Sequence, residues 1–334
     1  MNTFLKTLEK QELEKYYSIR EGETKLGQTI LTPAGNNLST ELANSSARFV
    51  LVGIPEDIGV RANFGKPGTA GFFNAFLCSF ATIQSNDFLT GEEILLAGTI
   101  TCHDLMQQAN EASFETLSTL VNELDKRVES VLSEIFAAGK TAIVIGGGHN
   151  NAYPIIKALS SAREQKISVV NIDPHADLRN TERRHSGNGF SYSLNEELLD
   201  FYLHVGLHEN HNNRHILDLY AKNKGRLHYF SYDDYLRHEW NFNSLDRFVR
   251  DVFVNKVCGF ELDCDSIVNM PSSAVTPSGF SPAEARQLTI MLAKAVNPAY
   301  FHLPEAIAAT EPLNSSKLAA YLVTDFIKAM NQVN

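Results

Sequence analysis

Short apolar runs recur along the chain at 48–54 (RFVLVGI), 94–98 (ILLAG), 142–146 (AIVIG), 167–173 (ISVVNID), 203–207 (LHVGL), 227–231 (LHYFS), 257–263 (VCGFELD) and 299–303 (AYFHL). A run without polar alternation reads as a strand buried on both faces, the habit of parallel sheets. Segments with helical character separate most of these runs: 113–137 and 150–163, the amphipathic 244–255, and 312–331 near the end of the chain. The clearest helix start is Ser281-Pro282-Ala283-Glu284, where Ser281 caps, Pro282 takes the first helical position and Glu284 completes a capping box. Eight strands alternating with helices need crossover connections, hence a mostly parallel α/β sheet covered on both faces. Ligands of such sheets bind outside the carboxyl ends of the strands, so chemistry is expected where an apolar run stops. No internal repeat or Pro/Gly/Ser-rich linker divides the chain. Residues 1–45 read as an N-terminal helical extension and 46–334 as one α/β domain.

Charge removes some partners from consideration. With 29 Lys+Arg against 39 Asp+Glu, the 334 residues carry a net charge of −10, which disfavours a nucleic acid or an anionic membrane surface as partner. The apolar runs are too short to span a bilayer, and the N-terminal MNTFLKTLEKQELEKYY lacks the apolar core of a signal peptide, so a cytoplasmic protein is expected. Cys78, Cys102, Cys258 and Cys264 show no CxxC or disulfide-framework spacing, which fits a reducing compartment and argues against a zinc-thiolate site.

Three polar clusters sit where apolar runs end. Asp173-Pro174-His175-Ala176-Asp177 follows ISVVNI; in an extended segment Asp173, His175 and Asp177 would share one side, as two carboxylates and an imidazole of a metal half-site. Taken alone, the same string serves equally as a solvated turn whose acids cap a helix. Asp263-Cys264-Asp265 follows VCGFEL and again pairs two carboxylates, whose repulsion a cation relieves, although an isolated DxD is more often a surface turn. Gly146-Gly147-Gly148-His149-Asn150 follows TAIVI; it lacks the Lys-Ser/Thr and the spacing of a nucleotide loop, leaving His149 as either a ligand or a helix cap. Together the three clusters offer two imidazoles and four carboxylates, a donor set for two hard divalent ions. Manganese suits it better than zinc, with iron, cobalt or nickel left open.

In this order, GGxH, DxHxD and DxD resemble the signatures of the ureohydrolase superfamily of arginases, agmatinases and formimidoylglutamases, over roughly residues 48–310. The resemblance implies a three-layer α/β/α arginase-like fold with an eight-stranded, mostly parallel sheet, two Mn(II) ions, and hydrolysis of a C–N bond in an amidine or guanidine. It also implies that His149, Asp173, Asp177 and Asp263 hold one ion, that Asp173, His175, Asp263 and Asp265 hold the other, and that the chain forms a trimer or hexamer.

Within the superfamily, the segments 54–71 (IPEDIGVRANFGKPGTAG) and 177–193 (DLRNTERRHSGNGFSYS) look most like formimidoylglutamases. Arg179 stands where arginase-like enzymes usually carry Asn; a guanidinium there suits a substrate carboxylate and repels the amine of agmatine. Ser186 and Asn188 are expected polar contacts, and Glu209 and Asn210 weaker ones for the amino-acid end of the substrate. Glu305 takes the place of a superfamily glutamate that faces the amidine nitrogen, and Asp265 is the expected proton relay. On this reading water activated between the metals cleaves N-formimidoyl-L-glutamate to L-glutamate and formamide, a step of histidine degradation. The alternatives are another guanidine or amidine substrate and a catalytically silent member. Several positions depart from the pattern. The usual SxDxDxxDP reads Glu261-Leu262-Asp263-Cys264-Asp265-Ser266-Ile267-Val268-Asn269, so Glu replaces Ser and the third Asp and the Pro are missing. Pro174 replaces a common Ala. Phe190 stands at the position of the arginase proton-shuttling His, with His185 out of register, which counts against arginase activity and leaves the general acid unassigned.

Overall fold

All eight apolar runs form strands; seven are largely buried on both faces, whereas 227–231 lies at a sheet edge with Tyr229 exposed. The computed structural model describes residues 2–308 and 315–333. In it the strands are β1 (Leu5–Thr7), β2 (Phe49–Gly53), β3 (Ile94–Ile100), β4 (Thr141–Ile145), β5 (Ile167–Ile172), β6 (Leu199–Leu207), β7 (Leu227–Ser231), β8 (Cys258–Leu262) and β9 (Tyr300–Leu303). They make one nine-stranded sheet in the order β1-β3-β2-β4-β9-β8-β5-β6-β7. Strands β2 to β9 run parallel, and the ninth strand, absent from the eight expected, is β1, paired antiparallel to β3 through Leu5↔Ile100 and Thr7↔Gly98. Its source is the N-terminal segment. That segment is therefore not wholly helical: it contributes a sheet edge as well as short helices such as Leu38–Asn44. Lys10 fastens it, its Nζ donating to the carbonyls of Gly27, Gln28 and Ile30 at 2.9–3.1 Å.

Two hydrophobic cores lie on opposite faces of the sheet. Phe49 and Leu51 of β2, Ile143 and Ile145 of β4, and Val170 and Ile172 of β5 pack with helices Phe72–Phe80, Phe242–Val252, Pro282–Val296 and Ser315–Asn331. Their neighbours Val50, Val52, Ala142, Val144, Ile167 and Val169 pack with helices Phe114–Ala137 and Ala152–Arg163. This period of two, apolar on both faces, makes three layers, α/β/α. The helix start at Ser281 is as expected: its Oγ accepts from the Glu284 N–H at 3.2 Å while Glu284 accepts from the Ser281 N–H at 2.7 Å. The expected last helix begins within 312–314, which lies outside the described residues; its described part starts at Ser315.

Candidate metal centre and active-site cavity

The carboxyl ends of four adjacent central strands, β4, β9, β8 and β5, carry His149, Glu305, the Asp263–Asp265 pair and the Asp173–Asp177 segment respectively. The turn after β4 needs its glycines. Gly147 has φ +74, and a Cβ there would stand 2.5 Å from Asn151 Nδ2 and 3.0 Å from Glu56 Oε1. Glu56, fully buried, ties this turn to the loop after β2 by accepting from the N–H groups of Gly148 (2.7 Å), Ile58 (2.6 Å) and Gly59 (3.2 Å) and from Asn151 Nδ2 (2.7 Å). His149 is thus delivered on a rigid turn, and its N–H donates to Glu305 Oε1 at 2.6 Å.

The His149 side chain enters a nest of acids. Its Nδ1 lies 3.1 Å from Asp173 Oδ2, 3.0 Å from Asp177 Oδ2 and 3.0 Å from Asp263 Oδ2. All four ligand atoms fall within 4.8 Å of one another, a group able to hold a metal ion. The donors fit a cation well. His149 Nδ1 is buried and aligned as a hydrogen bond to none of the three oxygens, and bonds of about 2.1 Å in octahedral geometry set neighbouring ligands about 3.0 Å apart. Burial, then repulsion from Asp173, raises the Asp177 carboxyl above its ordinary range. Burial, then Asp265 and Asp173, raises that of Asp263 further. Three ionised acids at this distance require positive charge between them.

The backbone differs from the extended chain expected of DxHxD. The chain bends at Pro174–His175, and Asp177 sits in the left-handed region with φ +51. Asp173 and Asp177 meet at His149, whereas His175 turns to the outer side, its Nδ1 3.6 Å from Asp173 Oδ1 and 3.9 Å from Asp265 Oδ2. Asp263-Cys264-Asp265 likewise leaves the strand for a 3-10 turn, in which the Asp265 N–H donates to Asp263 Oδ1 at 2.7 Å. Asp265 in turn accepts from the Ala274 N–H at 3.1 Å. The set expected for a second ion is consequently adjacent to the first and more open.

Behind His149, on its side away from the nest, Glu261, His302 and Tyr300 form a buried hydrogen-bonded group. His302 Nδ1 and Tyr300 OH donate to the Glu261 carboxylate at 2.6 and 2.8 Å, and His149 Nε2 lies 3.5 Å from Glu261 Oε2. His149, Glu261 and His302 also have the composition of a metal group. The 2.6 Å contact is nevertheless a hydrogen-bond length, shorter than two ligands of one ion ordinarily approach.

A cavity of about 510 Å³ opens over the nest, bounded at its buried end by Asp177, Asp263, Asp265 and Glu305. Glu305, held at φ +65, keeps Oε2 buried without a hydrogen-bond partner. Burial and then Asp265 push its carboxyl up to about 8. Arg179 and Lys66, both exposed, line the same cavity. Arg179 Nη1 donates to Asn63 Oδ1 at 3.3 Å, and among the described residues neither cation has an acid partner. Ser186 lines the cavity beside them and accepts from Asn63 Nδ2 at 3.1 Å.

Three expected contacts lie elsewhere. Asn188 is buried within its own loop, where Nδ2 donates to the carbonyls of Asn180 and Arg183 and Oδ1 accepts from Arg184 Nη1. Glu209 and Asn210 are exposed and outside the cavity, Glu209 being paired with Arg237 at 2.6 and 2.9 Å. The cavity is lined instead by His211, the exposed last residue of the 3-10 turn Glu209–His211, and by the buried Asn212. His211 stacks on His175 with ring centroids 5.0 Å apart, and Asn212 accepts from the Ala176 N–H at 3.1 Å. Phe190 packs edge-on to His149, ring centroids 5.2 Å apart, so a hydrocarbon ring rather than a proton carrier touches that imidazole.

Sequence reasoning missed the anchor of the loop that carries Arg179 and Ser186. Arg184, 1 % exposed, makes a two-point ion pair with Asp125 at 2.8 and 2.9 Å. Its remaining donors reach Asn150 O and Asn188 Oδ1, both at 2.9 Å. Lys66, His211 and Ser273, all in the cavity lining, were missed as well. Lys66 lay in the stretch 54–71 already singled out, and His211 in the strand-end loop 206–212 (GLHENHN) that carries Glu209 and Asn210.

Residues 47–328 match the arginase family. A formimidoylglutamase of Macrococcus caseolyticus is 29% identical over 173 residues, 51% of this chain and 49% of that protein, so the match spans about half of its length. A formimidoylglutamase of Streptococcus pyogenes serotype M3 is 27% identical over 251 residues, 70% of each chain. The crystal structure of Trypanosoma cruzi formiminoglutamase with Mn2+ superposes with a TM-score of 0.72 at 21% identity, over 92% of this chain and 98% of that one.

Proposed function

Because the chain belongs to the arginase family, we propose that it is a binuclear-metal hydrolase that cleaves N-formimidoyl-L-glutamate to L-glutamate and formamide. The observation that carries this reading is one cavity with a buried acid nest at its base and two unpaired cations, Arg179 and Lys66, in its lining. Two manganese ions, one held by His149, Asp173, Asp177 and Asp263 and one by Asp173, His175, Asp263 and Asp265, would supply Lewis acidity and a water made nucleophilic near neutral pH.

The chain's own groups complete the chemistry. Glu305 Oε2, buried and without a partner, accepts an N–H of the formimidoyl group; the arriving amidinium favours the ionised carboxylate against the burial that raises its pKa. Asp265 stands beside it and is the proton relay toward the departing nitrogen. Arg179 takes a substrate carboxylate by charge-assisted hydrogen bonds and Lys66 offers a second charge, matching the two carboxylates of formimidoylglutamate. Ser186 hydrogen-bonds the same end. The basic lining disfavours the cationic tail of agmatine, and Phe190 is no proton shuttle, both of which weigh against agmatinase and arginase chemistry. The family's assembly would make the enzyme a homo-oligomer, and among the described residues no helix is long and apolar enough to cross a membrane.

The test is turnover of formimidoylglutamate, arginine, agmatine and guanidinobutyrate by purified, manganese-loaded protein. Cleavage of the first alone is expected. Cleavage of another with none of the first overturns the substrate, and cleavage of none by protein that holds two ions favours a silent member.

A further inference from the structure

We infer that Glu261 is the positioning residue of the metal nest: it selects the nitrogen of His149 that carries the proton and so strengthens the cation site on the opposite side of the ring. The inference rests on the reading of the nest as a cation site. Glu261 lies on β8 in register with His302 of β9 and Asn171 of β5, at the centre of the sheet. Its carboxylate is wholly buried, and two neutral-capable donors, His302 Nδ1 and Tyr300 OH, fix its two oxygens at 2.6 and 2.8 Å. The direction left open runs to His149 Nε2, 3.5 Å away, an electrostatic approach longer than a hydrogen bond to a buried nitrogen that has no hydrogen-bond partner. A carboxylate there favours the proton on Nε2 and turns the Nδ1 lone pair toward Asp173, Asp177 and Asp263, where a cation belongs. Phe190 holds the ring edge-on but, as a hydrocarbon, cannot distinguish its two nitrogens.

Glu261 departs from the superfamily's usual pattern at this position. The string that Glu261 opens usually begins with serine, whose hydroxyl is neutral and reaches less far. Carboxylate in its place gives a carboxylate–histidine–metal arrangement, with His302 and Tyr300 satisfying the buried charge that serine would not bring.

The experiment titrates manganese against a competing chromophoric chelator and follows the same samples by electron paramagnetic resonance. It compares wild type, Glu261→Gln, Glu261→Ser and Tyr300→Phe, with circular dichroism to confirm that each is folded. In wild type two ions and the signal of a coupled pair are expected. Glu261→Gln weakens the ion at His149 by about 10–100-fold, leaving the six-line signal of isolated manganese at limiting metal, and Glu261→Ser recovers part of the loss. Tyr300→Phe removes a hydrogen bond to the same carboxylate while leaving the carboxylate itself. It unfolds at a lower temperature yet keeps manganese affinity within about threefold, because stability and ligand orientation separate there. Unchanged affinity in Glu261→Gln overturns the inference. So does an equal loss in Glu261→Gln and Tyr300→Phe, or a third wild-type ion that the Glu261 variants lack. Wild-type protein that binds no ion overturns the cation reading itself.

Discussion

Replacing Arg184 by methionine tests how the loop bearing Arg179 and Ser186 is held. Arg184 and Asp125 are 1 % and 5 % exposed, so water screens neither charge. Burial, opposed by Arg184, already raises the Asp125 carboxyl above its ordinary range; with the guanidinium gone the acid is buried alone. Removing one partner of such a pair costs about 3–5 kcal/mol. For 334 residues the unfolding entropy of about 0.7 kcal/mol/K converts that cost to a fall of about 4–7 °C in Tm. The deficit has a definite pH dependence. A carboxyl whose folded pKa is raised binds its proton more tightly in the native state, so the Arg184→Met deficit shrinks as pH falls from 7 toward 4. Replacing both residues, as Asp125→Leu with Arg184→Met, removes the lone charge and returns most of the stability. Differential scanning calorimetry and urea unfolding at pH 7 and pH 5 read all three proteins. A single variant within 1 kcal/mol of wild type, or a double variant no better than the single, refutes the reasoning. Turnover falls in both variants, because Arg184 also holds Asn150 O beside His149 and Asn188 in the loop.

Asp177→Ala should remove the first ion and abolish turnover while far-UV circular dichroism stays that of wild type; two ions with full activity would contradict the nest. Arg179→Met removes a charged hydrogen-bond donor worth about 1.5–3 kcal/mol, so kcat/KM for formimidoylglutamate falls about 10–150-fold, and an unchanged value would show that the carboxylate binds elsewhere. Burial, then the neighbouring Arg179 and Arg184, lowers His185 from 6.5 to about 4, and its Nδ1 accepts from the Gly187 N–H at 3.1 Å. The stability this neutral imidazole contributes is complete above its unfolded pKa and is lost as pH falls through the folded value. Wild type should therefore lose roughly 2–3 kcal/mol more than His185→Asn between pH 7 and pH 4, measured by urea unfolding; parallel losses would place the titration in other groups.

The parallel strands were legible because burial on both faces fills successive positions of runs such as FVLVG and AIVI with apolar residues. Strand β1 was not, since three residues at a sheet edge, Leu5 and Thr7 half-buried and Lys6 exposed, are too few to carry a run or a readable alternation. The acid nest was legible as a set of residues and not as a backbone. Asp173 and Asp177 converge because the chain bends between them and Asp177 takes a left-handed conformation, which the string DPHAD does not announce. Contacts across long separations left no local trace: Glu56 reaches Gly148 over 92 positions and Arg184 reaches Asp125 over 59. Glu209 and Asn210 were misplaced by one short turn, which carries them outward and brings His211 and Asn212 in.

The strand order has a consequence for how the molecule comes into being. β9, the last strand in sequence, is inserted between β4 and β8, which have no pairing with each other. During synthesis the growing chain therefore holds two half-sheets, β3-β2-β4 with His149 and β8-β5-β6-β7 with all four aspartates. Each exposes a hydrophobic edge that only Tyr300–Leu303 can join. The nest closes when that strand zips in from both sides, a contact of long sequence separation and hence a slow step. A nascent chain that has not reached Leu303 thus lacks the strand that brings the imidazole and the acids together, while the core helix Ser315–Asn331 is still to follow.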